Sequence, residues 1–186
     1  MADQILVRHA TTAWTGLRYC GRSDPPLDRA GRAAAARVAA ELAPTLGPGT
    51  RIVSSPSRRA RETARSIAGA AGIAAVEFDA RWCEADFGIA EGLTFDALVR
   101  IAPDLAQRLA DGETRVDWPD GETADALAGR VAAAWDDVLR DGGEIIVVSH
   151  AGPLRIVVGL ATGVSTDAIE PPAPGAVIRV AGIAAT

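Results

Sequence analysis

At 186 residues, 48 % of them hydrophobic, the chain has the size of one domain that can bury most of its apolar surface. Its formal net charge of −5 and the lack of a clustered basic tail give little reason to expect binding to nucleic acid or to an anionic membrane. All 19 basic residues are arginine, which excludes a Walker A lysine, a Schiff-base lysine and a Ser-Lys pair. We therefore expect a small-molecule partner.

The sequence also favours a single domain, residues 1–186, in the cytoplasm. No apolar run approaches the length of about 18 residues that suggests a membrane span, and the first residues lack the positive flank of a secretory signal. Cys20 and Cys83 lie far apart without a C-x-x-C spacing, so neither a zinc cage nor a disulfide framework is indicated. The oligomeric state stays open, a homodimer included.

The N-terminal half predicts strands that alternate with helices. Residues 4–7 form an apolar run typical of a buried strand. Asp28 can cap a helix that runs through the alanine-rich stretch to about residue 43. A second strand at 51–54 precedes Ser55 and Pro56, which predict an N-cap and the first turn of a helix to about residue 71.

The C-terminal half continues this alternation. A short strand near residues 75–78 is followed by an irregular stretch. Two helices are then predicted at residues 95–110 and 123–140, followed by a buried strand at 144–148, a helix at 151–161 and a last strand at 176–181. This pattern predicts an α/β domain of three layers, with a largely parallel central sheet flanked by helices.

The chain contains two histidines, His9 and His150, and each follows directly on a predicted strand. In open α/β sheets ligands bind at the carboxyl edge of the strands, so the pair is a better candidate for function than either histidine alone. Arg8 precedes the first histidine. More arginines crowd the first turn of the helix after Pro56, where the helix dipole disfavours each cation by about 0.3–1 kcal/mol. We interpret Arg58, Arg61 and Arg65 as a solvated face and expect another arginine of this turn to meet a bound anion.

Five segments in order resemble the motifs of the histidine phosphatase (phosphoglycerate-mutase-like) family. They are LVRHATTAW at 6–14, GRSDPPL at 21–27, SSPSRRARETA at 54–64, EADFGIAEG at 84–92 and VVSHAG at 147–152. Together they cover nearly the whole chain, and within the family the resemblance is to its short bacterial phosphatases.

This resemblance implies a phosphomonoesterase with a phosphohistidine intermediate and neither a metal nor another cofactor. His9 would be the nucleophile and Glu84 the proton donor, while Arg8, Arg59 and His150 would hold the phosphoryl oxygens. Two arginines and a donating histidine can neutralise the three equatorial oxygens of the transferred group. A nucleophilic imidazole must be neutral, and the neighbouring arginines disfavour its protonation.

The same motifs imply that Thr15 and Gly21 belong to the substrate-binding part of the site. Here the chain departs from the family pattern: Thr15 stands for an asparagine, in a loop that is a residue shorter than in the mutases, and Ala10 replaces the glycine after the nucleophile. Alanine fits at position 10 unless the backbone there needs a positive φ. A loop glutamate, Glu122, is expected to fix its turn rather than contact substrate.

Several alternatives remain open at this point. The chain could be a phosphoglycerate mutase, or a module that binds a phosphorylated ligand without turnover, although such a module would be expected to lack His9 or Glu84. A metal hydrolase could use these two residues with His150 and Asp86, but no second ligand lies at i+3 or i+4 of either histidine. The expected substrate is a small phosphate ester, with α-ribazole 5′-phosphate as one candidate.

Overall fold

A five-stranded sheet forms the centre of the protein in the computed structural model, which describes residues 3–181; the two ends of the predicted domain, residues 1–2 and 182–186, lie outside the described residues. The strands are β1 (Gln4–Arg8), β2 (Arg51–Ser54), β3 (Glu77–Phe78), β4 (Ile145–Ser149) and β5 (Val177–Val180). The helices are α1 (Arg29–Leu42), α2 (Arg58–Ala71), α3 (Phe95–Ile101), α4 (Pro103–Ala110), α5 (Ala124–Asp141) and α6 (Ala151–Thr162).

The strand order is β3-β2-β4-β1-β5, and every neighbouring pair is parallel except β1 with β5. Parallel strands need crossover connections, which the helices supply, so both faces of the sheet become covered. The predicted three-layer α/β class with a largely parallel sheet is therefore confirmed.

Two apolar clusters lie on opposite faces of the sheet because side chains alternate along each strand. Ile5 and Val7 of β1 point into a cluster with α1 and α2. Leu6, between them, points into a cluster with α5 and α6 that includes Trp82 and Trp135. A third, smaller cluster joins α3 and α4 to the loops around residues 87 and 116–118. None of the helices within residues 3–181 has the length and apolar character needed to cross a bilayer.

Two helix predictions were wrong in detail. Residues 95–110 do not form one helix: α3 ends at Ile101 and α4 begins at Pro103, because proline cannot donate within a helix and pushes the preceding residue out of the helical region. The helix predicted to have Ser55 as its N-cap and Pro56 in its first turn starts at Arg58, and its N-cap Ser57 makes no side-chain capping bond. The Arg58 amide instead donates to the Asp24 carboxylate, at 2.5 Å, so an acidic side chain from a distant loop caps α2.

The predicted cap of α1 is confirmed. Asp28 accepts a hydrogen bond from the Gly31 amide at 2.6 Å, and its carboxylate also accepts from the Thr11 hydroxyl at 3.0 Å. This carboxylate thus joins the helix to the loop that follows β1, in which the first histidine lies.

We expect Asp28→Ala to lower the free energy of unfolding by about 1 kcal/mol, because the first turn of α1 loses its acceptor. Asp28→Asn retains a capping oxygen and should remain close to the wild type. Urea unfolding of both variants measures the effect, with the exposed Asp136→Ala as control. Equal stability of Asp28→Ala and the control would contradict the cap's role.

Candidate active site

Both histidines emerge side by side at the carboxyl edge of the sheet. β1 and β4 are adjacent and parallel, with Arg8 opposite Ser149, so the residues that follow them lie at the same level. The His9 amide donates to the Ser149 carbonyl at 2.9 Å, which fixes this register beyond the strands. The imidazole rings of His9 and His150 meet edge to face, with their centroids 4.9 Å apart.

Arg59 lies in the first turn of α2, and its guanidinium contacts both imidazole rings. The side chain is 1 % exposed. Its Nε donates to His9 Nε2 at 3.2 Å and its Nη2 donates to His150 Nδ1 at 3.1 Å. The remaining hydrogen bonds go to three carbonyls of one loop, those of Cys20 at 3.2 Å, Gly21 at 2.8 Å and Ser23 at 2.7 Å.

Within residues 3–181, no carboxylate forms a salt bridge with Arg59. A buried charge without a counter-charge is expensive, since neutral acceptors replace only part of its hydration. A site that keeps such a cation prepared is suited to an anionic ligand, and the planar guanidinium fits the oxygens of a phosphoryl group.

The hydrogen bonds of His9 define which ring nitrogen can react. Its Nδ1 lies 2.7 Å from the Ala10 carbonyl oxygen, which can only accept, so Nδ1 carries the hydrogen and Nε2 carries the lone pair. Burial and then the positive charge of Arg59 lower the pKa of His9 to about 3, against the raising effect of the Ala10 carbonyl. His9 is therefore a neutral imidazole whose Nε2 lone pair accepts the hydrogen bond from Arg59.

His150 has the opposite arrangement of ring hydrogens. A guanidinium only donates, so Nδ1, which faces Arg59, is the acceptor and Nε2 donates to the Ser55 hydroxyl at 2.9 Å. Burial first, and then the charge of Arg59, lower the pKa of His150 well below its usual value. Ser55 thus orients a histidine instead of capping α2, a role that its place after β2 did not reveal.

Arg8 supplies a second guanidinium to the cavity above His9. Its Nη1 donates to the Pro172 carbonyl at 2.5 Å, and its Nε is buried without an acceptor among the described residues. Burial lowers the pKa of Arg8, partly opposed by Glu84. The cavity has a volume of about 220 Å³, and its walls bring together the predicted residues Arg8, His9, Thr15, Arg59 and Glu84.

Glu84 is 8 % exposed and lies at the N-terminus of α6. Its carboxylate accepts from its neighbour Ala85 at 3.0 Å and from the Gly152 amide at 3.2 Å. A Cβ at position 152 would stand 2.4 Å from the Glu84 carboxylate, so only glycine leaves room for this contact. The carboxylate is held at the wall of the cavity by backbone donors.

The backbone around Glu84 is held in turn by Arg130 of α5, a residue that the sequence did not single out. Its guanidinium donates to the carbonyls of Cys83 at 2.7 Å and Glu84 at 3.0 Å, and also to that of Arg81. It pairs with both carboxylate oxygens of Glu122, at 2.6 and 2.7 Å. The Glu122 amide also donates to the Asp86 carbonyl at 2.9 Å, in keeping with the turn-fixing role expected for this residue.

Thr15 and Gly21 occupy different positions relative to the cavity. The Thr15 hydroxyl accepts from the Thr12 amide at 2.9 Å and lies on the rim, where its hydrogen can still be donated. Gly21 is buried: its carbonyl accepts from Arg59, and its amide donates to Glu91 at 3.3 Å. Neither polar group of Gly21 is free for a ligand, so this glycine shapes the loop that holds Arg59.

Ala10 takes the glycine position of the motif without strain, because its φ is not positive. Among the residues 3–181 other than glycine, a positive φ occurs at Asp120. The Ala10 amide donates to the Thr63 hydroxyl at 3.2 Å, and Thr63 donates to the Arg59 carbonyl at 2.8 Å. These bonds join the His9 loop to α2.

No group of three or more His, Cys, Asp or Glu side chains within the described residues is arranged to hold a metal ion. The Asp86 carboxylate, considered above as a ligand beside Glu84, accepts from the Gly88 amide at 3.0 Å.

Comparison with known proteins gives a consistent result. The family model of the histidine phosphatase superfamily, branch 1, matches residues 4–179. The chain is 38 % identical to a probable phosphoglycerate mutase GpmB of Citrobacter koseri over 166 residues, covering 88 % of this chain and 76 % of that protein.

Two solved structures are also similar to the fold described here. A mycobacterial glucosyl-3-phosphoglycerate phosphatase, Rv2419c, superposes with a TM-score of 0.83 at 24 % identity, covering 95 % of this chain and 88 % of that one. YhfR of Bacillus stearothermophilus gives a TM-score of 0.83 at 25 % identity, covering 95 % and 89 %.

The lowered pKa of His9 predicts acid sensitivity. An unfolded histidine takes up a proton near pH 6.5, whereas folded His9 resists protonation to about pH 3, so stability should fall as the pH decreases through this window. We expect His9→Asn to remove about 1–2 kcal/mol of the stability lost between pH 7 and pH 5. Urea unfolding of wild type and variant at both pH values measures this difference. An unchanged pH dependence would show that His9 is protonated in the folded protein.

Proposed function

The chain belongs to the histidine phosphatase superfamily, branch 1, and from this premise we propose that it is a phosphomonoesterase for a small phosphorylated metabolite, working without a metal ion through a phosphohistidine on His9. The observation that carries the proposal is the buried Arg59 guanidinium, shared by two neutral histidines and without a carboxylate partner among the described residues. A phosphate dianion supplies the missing negative charge.

In the first step, Nε2 of His9 attacks the phosphorus atom in line with the departing oxygen. Arg59 now donates to Nε2, so its hydrogen bond must pass to a phosphoryl oxygen as the substrate binds. Arg8 faces the same cavity. The charge that spreads over the equatorial oxygens then meets two guanidiniums, which stabilise it without reorganisation of solvent.

In the same step, the P–O bond breaks and the leaving alkoxide takes a proton from the Glu84 carboxyl group. In the second step, the resulting carboxylate accepts a proton from a water molecule, whose oxygen attacks the phosphohistidine. The P–N bond breaks, its electron pair returns to Nε2, and inorganic phosphate is released. The place of Glu84 on the cavity wall, held by the Gly152 amide, supports both proton transfers.

The alternative activity is that of a phosphoglycerate mutase. The name of the Citrobacter koseri relative favours this alternative. A mutase must keep water from the phosphohistidine. Exposed residues of the loop 15–18 border the cavity over His9, and this open rim supports hydrolysis. A module that binds without turnover is disfavoured because His9 and Glu84 are both retained. α-Ribazole 5′-phosphate remains a candidate substrate.

We expect the wild type to release phosphate from p-nitrophenyl phosphate in EDTA, and His9→Ala to lose about 10³-fold or more of this activity. Arg65→Ala, on the exposed side of α2, serves as a control with unchanged turnover. Isomerisation of 3-phosphoglycerate without phosphate release would favour the mutase. The absence of both reactions, or activity only with added metal, would overturn the proposed mechanism.

Glu84→Gln should separate the two proton transfers. p-Nitrophenolate leaves without a proton, so phosphorylation of His9 by this ester should persist while hydrolysis of the phosphohistidine slows by about 10²–10⁴-fold. Stopped-flow mixing should show a burst of p-nitrophenolate close to the enzyme concentration, followed by slow turnover. An alkyl phosphate, which needs the acid, should give no burst. Wild-type rates with both esters would remove Glu84 from the reaction.

A further inference from the structure

A second cavity of about 200 Å³ adjoins the one over His9. The two share the wall residues Glu84, Phe87 and Ala151, so they meet at the proposed proton donor. An ester whose phosphoryl group lies over His9 must place its leaving oxygen next to Glu84. The rest of the alcohol is then directed toward the second cavity.

The wall of this second cavity is formed mainly by apolar side chains from three parts of the chain. Phe87 and Trp118 come from loops, with their ring centroids 4.4 Å apart, and they belong to the cluster that α3 and α4 complete. Leu127 and Ala128 come from α5, and Ile156 comes from α6. A cavity of about 150 Å³ with such a lining can hold a benzene molecule, so this one has room for a single ring.

Two arginines also border the cavity. Arg115 pairs with the Asp125 carboxylate at 2.6 Å. Arg155 donates to the Thr166 carbonyl at 2.5 Å, its Nε is buried without an acceptor among the described residues, and it forms no salt bridge with any of them. Because Arg155 is positively charged, an alcohol that bears a carboxylate, such as glycerate, is the natural competitor for this cavity. The experiment must therefore compare such an alcohol with an apolar one.

We propose that this cavity binds the leaving group and selects phosphate monoesters of alcohols that carry an uncharged, apolar, ring-sized body. This inference rests on the proposed phosphatase function and adds the substrate class. Glycerate has three carbons and a carboxylate, so it leaves the apolar walls without contacts. A ring-bearing alcohol gains burial comparable to that of one aromatic side chain, which corresponds to about a 10- to 100-fold advantage in kcat/KM.

The test compares 3-phenylpropyl phosphate, glycerol 3-phosphate and 3-phosphoglycerate. All three leave as unactivated primary alkoxides, so differences in kcat/KM report binding of the alcohol rather than leaving-group chemistry. Ala128→Phe fills the cavity from α5. Ala132→Phe, one turn further along the same helix and equally half-buried, introduces the same side chain at a position outside the cavity wall.

We expect the phenylpropyl ester to exceed the other two by about 10- to 100-fold in the wild type and in Ala132→Phe. Ala128→Phe should remove this advantage, so that the phenylpropyl ester and glycerol 3-phosphate have similar kcat/KM in this variant. The product 3-phenylpropanol should inhibit the wild type competitively but not Ala128→Phe. Equal rates with all three esters, or a preference for 3-phosphoglycerate, would overturn the substrate class while the phosphatase function stands. No phosphate release from any ester would overturn both.

Discussion

A buried guanidinium without a carboxylate partner in the described residues is the constraint on which the site depends. Arg59 is held by three loop carbonyls and two imidazoles, all of them neutral, so its charge is solvated by the protein but not cancelled. The positive charge then acts on the histidines: it adds to burial in lowering the pKa of both. Arg59 thus adds to burial in keeping His9 neutral, and it makes the cavity positive.

The loop that solvates Arg59 needs its own support, because its carbonyls must point inward. Glu91 provides this support. Its carboxylate accepts from the amides of Gly21 at 3.3 Å, Arg22 at 2.7 Å and Ser23 at 3.2 Å, which turns the carbonyls of this loop toward the guanidinium. Burial would raise the pKa of Glu91, but the hydrogen bonds from the Ser23 hydroxyl and from the amides of Arg22, Phe87 and Ser23 lower it overall.

Glu84 is positioned by two helices. Arg130 reaches its backbone from α5, while Gly152 reaches its carboxylate from α6. Arg59 therefore comes from the face of the sheet that α1 and α2 cover, and the supports of Glu84 come from the face that α5 and α6 cover. These parts meet at the carboxyl edge, where β1 and β4 place His9 and His150 side by side.

The strands, their order along the chain and the places of the two histidines could be predicted from sequence because they are local signals. An apolar run that ends in a histidine shows both an element and its polar end. The residues that hold the site residues in place could not be predicted. Arg130 is one of 19 arginines, and its place on α5 does not show that it faces the carbonyls of residues 81–84. Ser55 looked like a helix cap, because a cap and a histidine partner need the same hydroxyl and only tertiary contacts choose between them.

The protonation states of the two histidines follow from burial and from the charge of Arg59, and a phosphate dianion would change them. Burial and positive charge lower the pKa of His150, whose Nδ1 accepts from Arg59. A dianion next to Arg8 and Arg59 offsets that positive charge, so the same imidazole gains affinity for a proton when the ligand binds. With Nδ1 protonated, His150 can donate to a phosphoryl oxygen. In the proposed reaction, the second histidine therefore becomes a donor because the substrate is present, and the nucleophile stays neutral as long as its Nε2 faces the phosphorus.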